Sequence, residues 1–332
     1  MTNTRERISL VIVTWNGDDL LRCCLDSLLK VYGQLPETVI ADNANQPSTR
    51  QLVESYENTR YIPLPDNLGF AGGNNAALPF CSKDYIILLN NDTEFTADSI
   101  SPLIAFLDEH PDCAAAQGKI ILSANGKLDG CGGFFSPIGI LSFEGNGADD
   151  STEFNTPKRV FTIGGAFFAL RKSAIAACGG LFYDHFKSYY EEVNLCHRLT
   201  LAGFQCWYVP TPPVLHRHSV TMAKFKWFDI QRQYYRNIWF STLTCFGLAC
   251  RLRFGFCIAF LSFGQTLVSL LKGNAGYLKT HARVISRIFA ERAEIRKERK
   301  RLKTFRKLSD RQVLSIAVKS QPWKYYINLI KR

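Results

Sequence analysis

The chain has 332 residues, of which 46% are hydrophobic and 21% charged, which is typical of a globular protein and excludes a disordered one. This length accommodates one large α/β domain with an appendage of about a hundred residues. Most of the net charge of +11 lies in one late segment, which indicates an anionic partner such as lipid or nucleic acid; the alternative is a solvated helix face. Eleven cysteines without a CxxC pair argue against a disulfide framework or a zinc site and favour a reducing compartment.

The N-terminal part of the chain alternates between predicted strands and helices. The apolar run that begins at Ile8 reads as a strand buried on both faces, and it is too short for a signal peptide. Asp18 is the predicted N-cap of a helix with an apolar stripe. Alternation of this kind predicts a mainly parallel sheet. The predicted strands are residues 8–14, 38–41, 60–63 and 85–89, and a second helix is predicted at about 48–58.

Three of these strands end on polar residues, namely Thr14, Asp42 and the run Asn90 to Asp92. In parallel sheets the ligand lies beyond the carboxyl ends of the strands. We therefore expect the three ends to meet along one edge that binds a ligand. The glycine-rich stretch from Asn67 to Asn75 is predicted as a turn, and it has neither the Walker nor the dinucleotide-binding spacing.

The middle of the chain is less regular. Residues 119–157 are rich in Gly, Asp, Asn and Ser and predict short strands and mobile loops that cover the site. Residues 160–170 predict one buried strand with a glycine pair inside it, a pattern that often marks close approach of a ligand. A helix is predicted from Glu191 to Ala202, followed by a loop that carries His216 and His218.

Several side chains in this frame have chemistry suited to group transfer. Asp92, just past a buried strand, can hold Mg²⁺ or Mn²⁺ together with phosphate oxygens, or can simply cap a turn. Glu191 and Glu192 can supply a general base, or only the acidity common at helix starts. His216 can complete a metal site or be structural, and Asp42 can accept from a ribose or initiate a turn. Taken singly, these residues leave both interpretations open.

The character of the chain changes from about residue 224, where aromatic and basic residues interleave. Residues 254–271 carry no charge and reach the length threshold for a membrane span, but they include polar side chains. They predict a helix in the membrane interface or a re-entrant pair; the alternative is two helices packed on the preceding domain. Residues 283–307 contain eleven Lys and Arg against three Glu, which favours anionic lipid beside the apolar helix.

Six motifs follow one another along the chain: VIVTWNG at 11–17, ADN at 41–43, NLGFAGGNN at 67–75, LLNNDT at 88–93, GGAFF at 164–168 and YEEVNL at 190–195. In this order they resemble glycosyltransferase family 2. The resemblance covers roughly residues 8 to 221 and is strongest for rhamnosyltransferase-like enzymes of bacterial cell-surface polysaccharide assembly. Asn90 stands where many members have an acidic residue, and Glu191-Glu192 replaces a Glu-Asp pair.

The resemblance implies an α/β protein with the A-type glycosyltransferase fold and a helical C-terminal appendage. It implies a catalytic domain over residues 1–223, and we expect residues 224–332 to be a membrane-associating region. By position, Asp92 is the implied metal ligand, completed by His216, and Glu192 beside Glu191 is the implied base. The other implied positions bind the donor. Thr14, Asn16 and Asp42 hold its nucleoside, and Asn67, Gly69 and Asn74 belong to the segment that lines it. Gly165 marks the backbone near the diphosphate and the acceptor, and Asn90 and Asn91 are further donor-binding positions.

The implied reaction is inverting transfer of a sugar such as L-rhamnose from a dTDP- or UDP-sugar, with Mg²⁺ or Mn²⁺ as cofactor. The expected acceptor is a lipid-linked glycan, with the enzyme in the cytoplasm, peripherally attached to the inner face of the cell membrane. One alternative is a sugar-nucleotide nucleotidyltransferase, although the acidic loop at 14–19 lacks a basic glycine-rich signature. Another is an inactive membrane-associated binding protein. A nucleic-acid partner is not expected, because the basic segment contains no recognisable module.

Overall fold

The computed structural model describes residues 4–217 and 226–321. The predicted domain boundary at 223/224 and His218 lie outside the described residues. The strands are β1 Ile8–Thr14, β2 Glu37–Asp42, β3 Thr59–Pro63, β4 Tyr85–Asn90, β5 Thr93–Phe95, β6 Cys113–Gln117, β7 Ile120–Leu122, β8 Gly133–Phe135, β9 Leu141–Phe143, β10 Lys158–Val160, β11 Phe167–Arg171, β12 Gln205–Tyr208 and β13 Val214–His216. The helices are α1 Asp18–Tyr32, α2 Pro47–Glu54, α3 Gly69–Ala77, α4 Ile100–Glu109, α5 Lys172–Ala177, α6 Glu191–Leu201, α7 Trp227–Cys245, α8 Leu248–Leu271, α9 Gly276–Ala290, α10 Arg292–Phe305 and α11 Asp310–Ala317.

Eight of the described strands form one sheet in the order β10-β12-β6-β11-β4-β1-β2-β3. Six of them run in the same direction and β10 and β11 run opposite, so the prediction of a mainly parallel α/β sheet is confirmed. Alternate side chains of β1 enter the hydrophobic clusters on the two faces of the sheet, with Val11 on one face and Leu10 and Ile12 on the other. This two-sided burial explains why the strand reads as a continuous apolar run.

The glycine-rich stretch predicted as a turn is mostly helix, since α3 begins at Gly69. Its glycines serve close packing: a Cβ on Gly73 would lie 2.6 Å from Cγ1 of Val13 on β1. A helix can therefore lie against the sheet here only without a side chain at that position. The turn prediction was wrong because glycine was taken as a helix breaker, whereas the packing required it.

Three further predictions are corrected. Residues 160–170 are not one strand, because β10 lies at an edge of the sheet and β11 between β6 and β4, with the glycine pair in the connection. His216 is not on a loop but is the last residue of the short strand β13. In addition, Asp18 is the first residue of α1 and not its N-cap, which is Gly17.

The C-terminal part of the described chain is helical, as predicted. Phe240 on α7, Ile295 on α10 and Val313 on α11 belong to the same hydrophobic cluster as Phe168 of the sheet. Residues 254–271 form no pair but one continuous helix with the six residues before them. This helix, α8, is the one helix in the described ranges that is long and apolar enough to cross a membrane. Only 17% of its most apolar window is buried, so most of α8 faces outward.

Candidate active site

The polar ends of β1, β2 and β4 meet at one edge of the sheet, as expected. Thr14 pairs in register with Asp42, and Val13 pairs with Asn90. The side chain of Asn91 donates a hydrogen bond of 3.0 Å to the Thr14 hydroxyl, which links two of the three strand ends directly. These residues lie at the carboxyl edge, where parallel α/β sheets bind ligands.

Asp92 and His216 contact each other at this edge although 124 positions separate them in the sequence. Oδ1 of Asp92 lies 3.2 Å from Nε2 of His216, and both side chains are buried. A small second sheet accounts for the contact. In it β13 pairs with β5 so that His216 lies opposite Thr93, the residue after Asp92.

Asp129 is a third member of this cluster, and the sequence analysis missed it. Its Oδ2 lies 2.7 Å from Nδ1 of His216. Asp129 follows β7 in an irregular stretch with several acids, so spacing alone could not single it out. A carboxylate on one imidazole nitrogen orients the other nitrogen, an arrangement common beside metal ions. Burial lowers the pKa of His216, but the hydrogen bonds to Asp129 and Asp92 outweigh it and raise the pKa to about 9.

This pair suits a cation that shares its coordination with a substrate. Among the described residues, no group of three or more His, Cys, Asp or Glu side chains forms a metal site. Mg²⁺ and Mn²⁺ are commonly held by one or two protein ligands together with phosphate oxygens and water. Asp92 supplies a carboxylate of this kind, and His216 can add a nitrogen ligand only as the neutral imidazole. Asn90 adds a neutral amide 3.5 Å from Nε2 of the imidazole.

The candidate base lies at the start of α6, after an unusual stretch of backbone. Lys187, Tyr189 and Tyr190 all have positive φ angles, between 53° and 74°. Such backbone is strained for residues other than glycine and is often found at functional sites. Glu191 and Glu192 follow directly as the first two residues of the helix. Burial raises the pKa of Glu192 above the usual value for glutamate, and burial next to Glu192 raises that of Glu191 well above it.

Glu192 faces the glycine pair predicted to mark a close approach. A Cβ on Gly165 would lie 3.9 Å from Cδ of Glu192, with no other contact within 4 Å. The next residue, Ala166, accepts a backbone hydrogen bond from Asn90. The structure therefore brings Glu192, Gly165 and the end of β4 together, with open space over Gly165.

The other predicted donor-binding side chains are largely engaged with the protein itself. The Asp42 carboxylate accepts hydrogen bonds from the backbone N–H groups of Ala44 and Gln46 and from the Tyr61 hydroxyl. The two backbone bonds are those expected of an aspartate that initiates a turn. Asn67 accepts from the backbone of Gly69. These residues shape the edge of the site, and their direct contact with a donor stays a prediction.

Asn74 and Asn16 have different surroundings from each other. The Asn74 side chain is buried within α3, where its amide donates to the carbonyl oxygen of Phe70. Asn16 is exposed and has a positive φ of 49° at the turn between β1 and α1. Of these two, only Asn16 is accessible from solvent, and for both the donor-binding role stays a prediction.

Helix α7 holds the strained stretch in place. The buried side-chain amide of Asn237 donates hydrogen bonds to the carbonyl oxygens of Phe186, Ser188 and Tyr189, at 3.0, 3.2 and 2.7 Å. The start of α3 supports the same stretch from the other side, where Ala71 donates its N–H to the carbonyl of Lys187 at 2.7 Å. The C-terminal helices therefore help to position the candidate base.

We expect Asn237→Ala to lower the free energy of unfolding by about 1–3 kcal/mol, because buried carbonyl oxygens lose their donor. Turnover should also fall, since the strained stretch before Glu192 is released. Thermal unfolding and steady-state kinetics measure both effects, with the exposed Gln51→Ala as the control. A stability loss with unchanged kcat would show that Asn237 supports the fold without positioning the base.

Residues 9–179, slightly more than half of the chain, match the family model for glycosyl transferase family 2. An N-acetylglucosaminyl-diphospho-decaprenol L-rhamnosyltransferase of Mycobacterium tuberculosis (strain CDC 1551 / Oshkosh) is 25% identical over 241 residues, covering 64% of this chain and 76% of that protein. The family match ends before α6, so it does not include Glu192 or His216.

Solved glycosyltransferase structures share the fold. GalNAc-T7 with UDP, GalNAc and Mn²⁺ aligns with a TM-score of 0.52 and 16% identity, over 63% of this chain and 43% of that one. The mannosyltransferase PcManGT from Pyrobaculum calidifontis, in complex with GDP-Man and Mn²⁺, aligns with a TM-score of 0.50 and 12% identity. The alignment covers 90% of this chain and 84% of that one. The predicted A-type glycosyltransferase fold is confirmed. The chain therefore belongs to glycosyltransferase family 2 and is a glycosyltransferase.

Proposed function

We propose that this glycosyltransferase transfers a sugar, L-rhamnose in the first instance, from a nucleoside-diphosphate donor to a hydroxyl of a lipid-linked or polysaccharide acceptor. The observation that carries the proposal is the contact between Asp92 and His216 at the carboxyl edge, oriented by Asp129. The sugar and the acceptor are supported by the name of the mycobacterial relative, which joins rhamnosyl transfer to a diphospho-decaprenol. The complexes of the two structural neighbours with UDP and with GDP-Man support the donor class.

In the proposed mechanism, Glu192 takes the proton of the acceptor hydroxyl. The freed oxygen bonds to the anomeric carbon from the side opposite the diphosphate, the bond to the diphosphate breaks, and the configuration inverts. The nucleoside diphosphate leaves with the bonding electrons. Asp92 and His216 are the residues that would hold Mg²⁺ or Mn²⁺, and the ion would supply positive charge to the departing diphosphate. Gly165 leaves the space that the reacting groups need beside Glu192.

A donor screen tests this proposal. The purified protein is incubated with UDP-, dTDP- and GDP-sugars, with and without Mn²⁺, and the released nucleotide is identified. We expect release of a nucleoside diphosphate from one donor, stimulated by Mn²⁺. Release of pyrophosphate would instead indicate a nucleotidyltransferase, and no turnover of any donor with lipid-linked acceptor present would indicate an inactive binding protein.

We also propose that the enzyme is cytoplasmic and attaches peripherally to the inner face of the cell membrane through α8. Phe256, Phe260 and Phe263 on this helix are 72%, 66% and 67% exposed. The three follow one another at intervals of four and three residues, so they form one stripe on the helix. Exposed apolar area of this extent on a single helix is typical of surfaces that contact lipid.

The combined change of Phe256, Phe260 and Phe263 to Ser should weaken binding to lipid vesicles by about 100-fold or more, because three large apolar side chains no longer enter the membrane. Vesicle sedimentation of the full chain measures the effect. Phe80→Ser, which removes an exposed phenylalanine beside the sheet, is the matched control and should bind normally. Equal binding of the triple variant and the wild type would contradict attachment through α8.

A further inference from the structure

Gln117 is another polar residue at the carboxyl edge of the sheet, and the sequence analysis missed it. It is the last residue of β6, which runs in the same direction as β1 and β4, so it lies at the same edge as Thr14 and Asn90. Its side chain is fully buried. A buried amide needs partners within the protein, because a polar group without a partner is unfavourable there.

The two ends of the Gln117 amide bond to two different segments of the chain. The nitrogen donates a hydrogen bond of 2.7 Å to the carbonyl oxygen of Gly130, and the oxygen accepts one of 2.7 Å from the N–H of Gly164. A carbonyl only accepts and an N–H only donates, so the amide fits in one orientation. Because donor and acceptor belong to one rigid planar group, the amide also fixes the distance between the two segments.

The first segment belongs to the metal side of the candidate site. Gly130 follows Asp129, whose carboxylate contacts the imidazole of His216. The φ of Gly130 is 108°, in a region that favours glycine, and glycine has little preference of its own for one conformation. The Asp129 N–H is held by the carbonyl of Ile120 at 3.0 Å, and the bond from Gln117 fixes the chain on the other side. Gln117 therefore helps to set where the Asp129 carboxylate lies.

The second segment belongs to the base side. Gly164 precedes Gly165, the residue that Glu192 faces. Two consecutive glycines restrict the backbone little, so this connection depends on bonds at its two ends. At one end the carbonyl of Ala166 accepts a hydrogen bond from the end of β4, and at the other the N–H of Gly164 bonds to Gln117. Gln117 therefore helps to keep the open space over Gly165.

The two segments are also bonded to each other. Gly133 and Thr162 exchange two backbone hydrogen bonds, of 2.8 and 3.1 Å. A displacement of one segment is therefore transmitted to the other. Because Gln117 bonds to both segments at the end of β6, its loss should be felt on the metal side and on the base side together.

We propose that Gln117 is a positioning residue for sugar transfer, whose single amide holds the Asp129–His216 contact and the space over Gly165 in register with each other. It acts through these residues and not on the substrate, because its side chain is fully buried and both ends of its amide are bonded within the protein. The inference rests on the proposed function, in which His216 is a metal ligand and Glu192 is the base.

The test replaces the amide in the full chain by a side chain of similar length. Gln117→Met keeps the shape but makes neither hydrogen bond. We expect it to weaken Mn²⁺ binding and to lower kcat at saturating Mn²⁺, each by about 10- to 100-fold, because the ligands and the reacting groups are no longer held in place. Mn²⁺ binding is measured from the electron paramagnetic resonance of the free ion, with the nucleoside diphosphate identified in the donor screen present. Initial rates give kcat.

Two further variants separate positioning from stability. Thr38→Val removes a buried hydrogen bond, from the Thr38 hydroxyl to the carbonyl of Pro36, at the opposite end of the sheet strands. It should lower the melting temperature and leave Mn²⁺ affinity and kcat unchanged. Gln117→Glu keeps an oxygen for the N–H of Gly164 and should recover part of the kcat lost in Gln117→Met, although its buried carboxyl destabilises the fold more. Activity and stability then rank the two Gln117 variants in opposite orders.

Normal Mn²⁺ affinity or normal kcat in Gln117→Met would overturn the inference, because one amide would then not serve both sides. Losses that follow the melting temperature alike in all three variants would overturn it as well, since Gln117 would then support only the fold. If Gln117→Met does not fold, Gln117→Glu decides: weaker Mn²⁺ binding supports the inference and normal binding refutes it. A wild type that neither binds Mn²⁺ nor turns over any donor would sink the proposed function and the inference together.

Discussion

Glu192→Gln is expected to lower kcat for sugar transfer by about 1000-fold, the middle of the range for loss of a general base. The amide has the shape of the carboxylate but cannot take a proton from the acceptor. Donor binding should change little, because the substitution keeps the shape of the side chain and leaves the Asp92–His216 pair intact. Initial rates at saturating donor, together with the donor KM, measure the effect.

Glu109→Gln and Glu191→Gln serve as comparisons for this variant. Glu109 is exposed at the end of α4, and its substitution should leave the rate unchanged. Glu191 is buried, and its Oε2 has no partner among the described residues, so its amide variant should lose less activity than that of Glu192. A Glu192→Gln enzyme with a rate near normal would exclude this residue as the base.

The pH profile tests the same residue without a substitution. The base acts when deprotonated, so activity should rise with pH through the pKa of Glu192. Burial raises this pKa, so the rise should lie above about 4.3, the value for an unperturbed glutamate. Because the charged form is disfavoured in the folded state, the same shift makes the fold less stable as pH rises through this range. Measured kcat between acid and neutral pH gives the midpoint; a midpoint at the ordinary value would contradict the shift.

Asp92→Asn is expected to lower Mn²⁺-dependent turnover by about 100- to 1000-fold, as is usual when one group that stabilises developing charge is lost. Asn90 is already neutral, so Asp92 is the only carboxylate in the run from Asn90 to Thr93. The neutral variant leaves the imidazole as the remaining predicted ligand. Rates measured across a Mn²⁺ titration give both the loss and any shift in metal affinity.

Asp129→Asn tests whether Asp129 acts by orienting the His216 imidazole and not by binding the metal ion itself. Asp129 contacts Nδ1 of His216 and not the nitrogen that faces Asp92. Its loss should weaken Mn²⁺ affinity by about 10- to 100-fold, with activity restored by more metal. Asp92→Asn should not be restored in this way. Normal turnover of Asp92→Asn at ordinary Mn²⁺ would refute the metal-binding assignment.

The sequence predicted those parts of the site that depend on local pattern. The buried run from Ile8 to Thr14 and the polar ends at Asp42 and Asn90 follow from hydrophobic periodicity, and the structure has them side by side. Ordered motifs were enough to identify the family. The turn predicted at residues 67–75 was wrong, because it relied on the tendency of glycine to break helices. Here glycine is needed because a side chain at Gly73 would clash with Val13.

The sequence did not predict the contacts between residues that are far apart in the chain. Asp129 reaches His216 because β13 joins a three-stranded sheet with β5 and β7, and strands of three residues leave no periodic signal. The support that Asn237 gives to the stretch before Glu192 also joins distant segments.

The sequence alone determined the class of fold, the family and the choice of Asp92 and Glu192 as candidate site residues. Each of these conclusions depends on a motif or a periodic pattern of residues that are neighbours in the chain. Tertiary structure decided which side chains face Asp92 and what holds the candidate base in position. Those properties arise from contacts between residues far apart in the chain, and packing, unlike periodicity, is not encoded within any single segment.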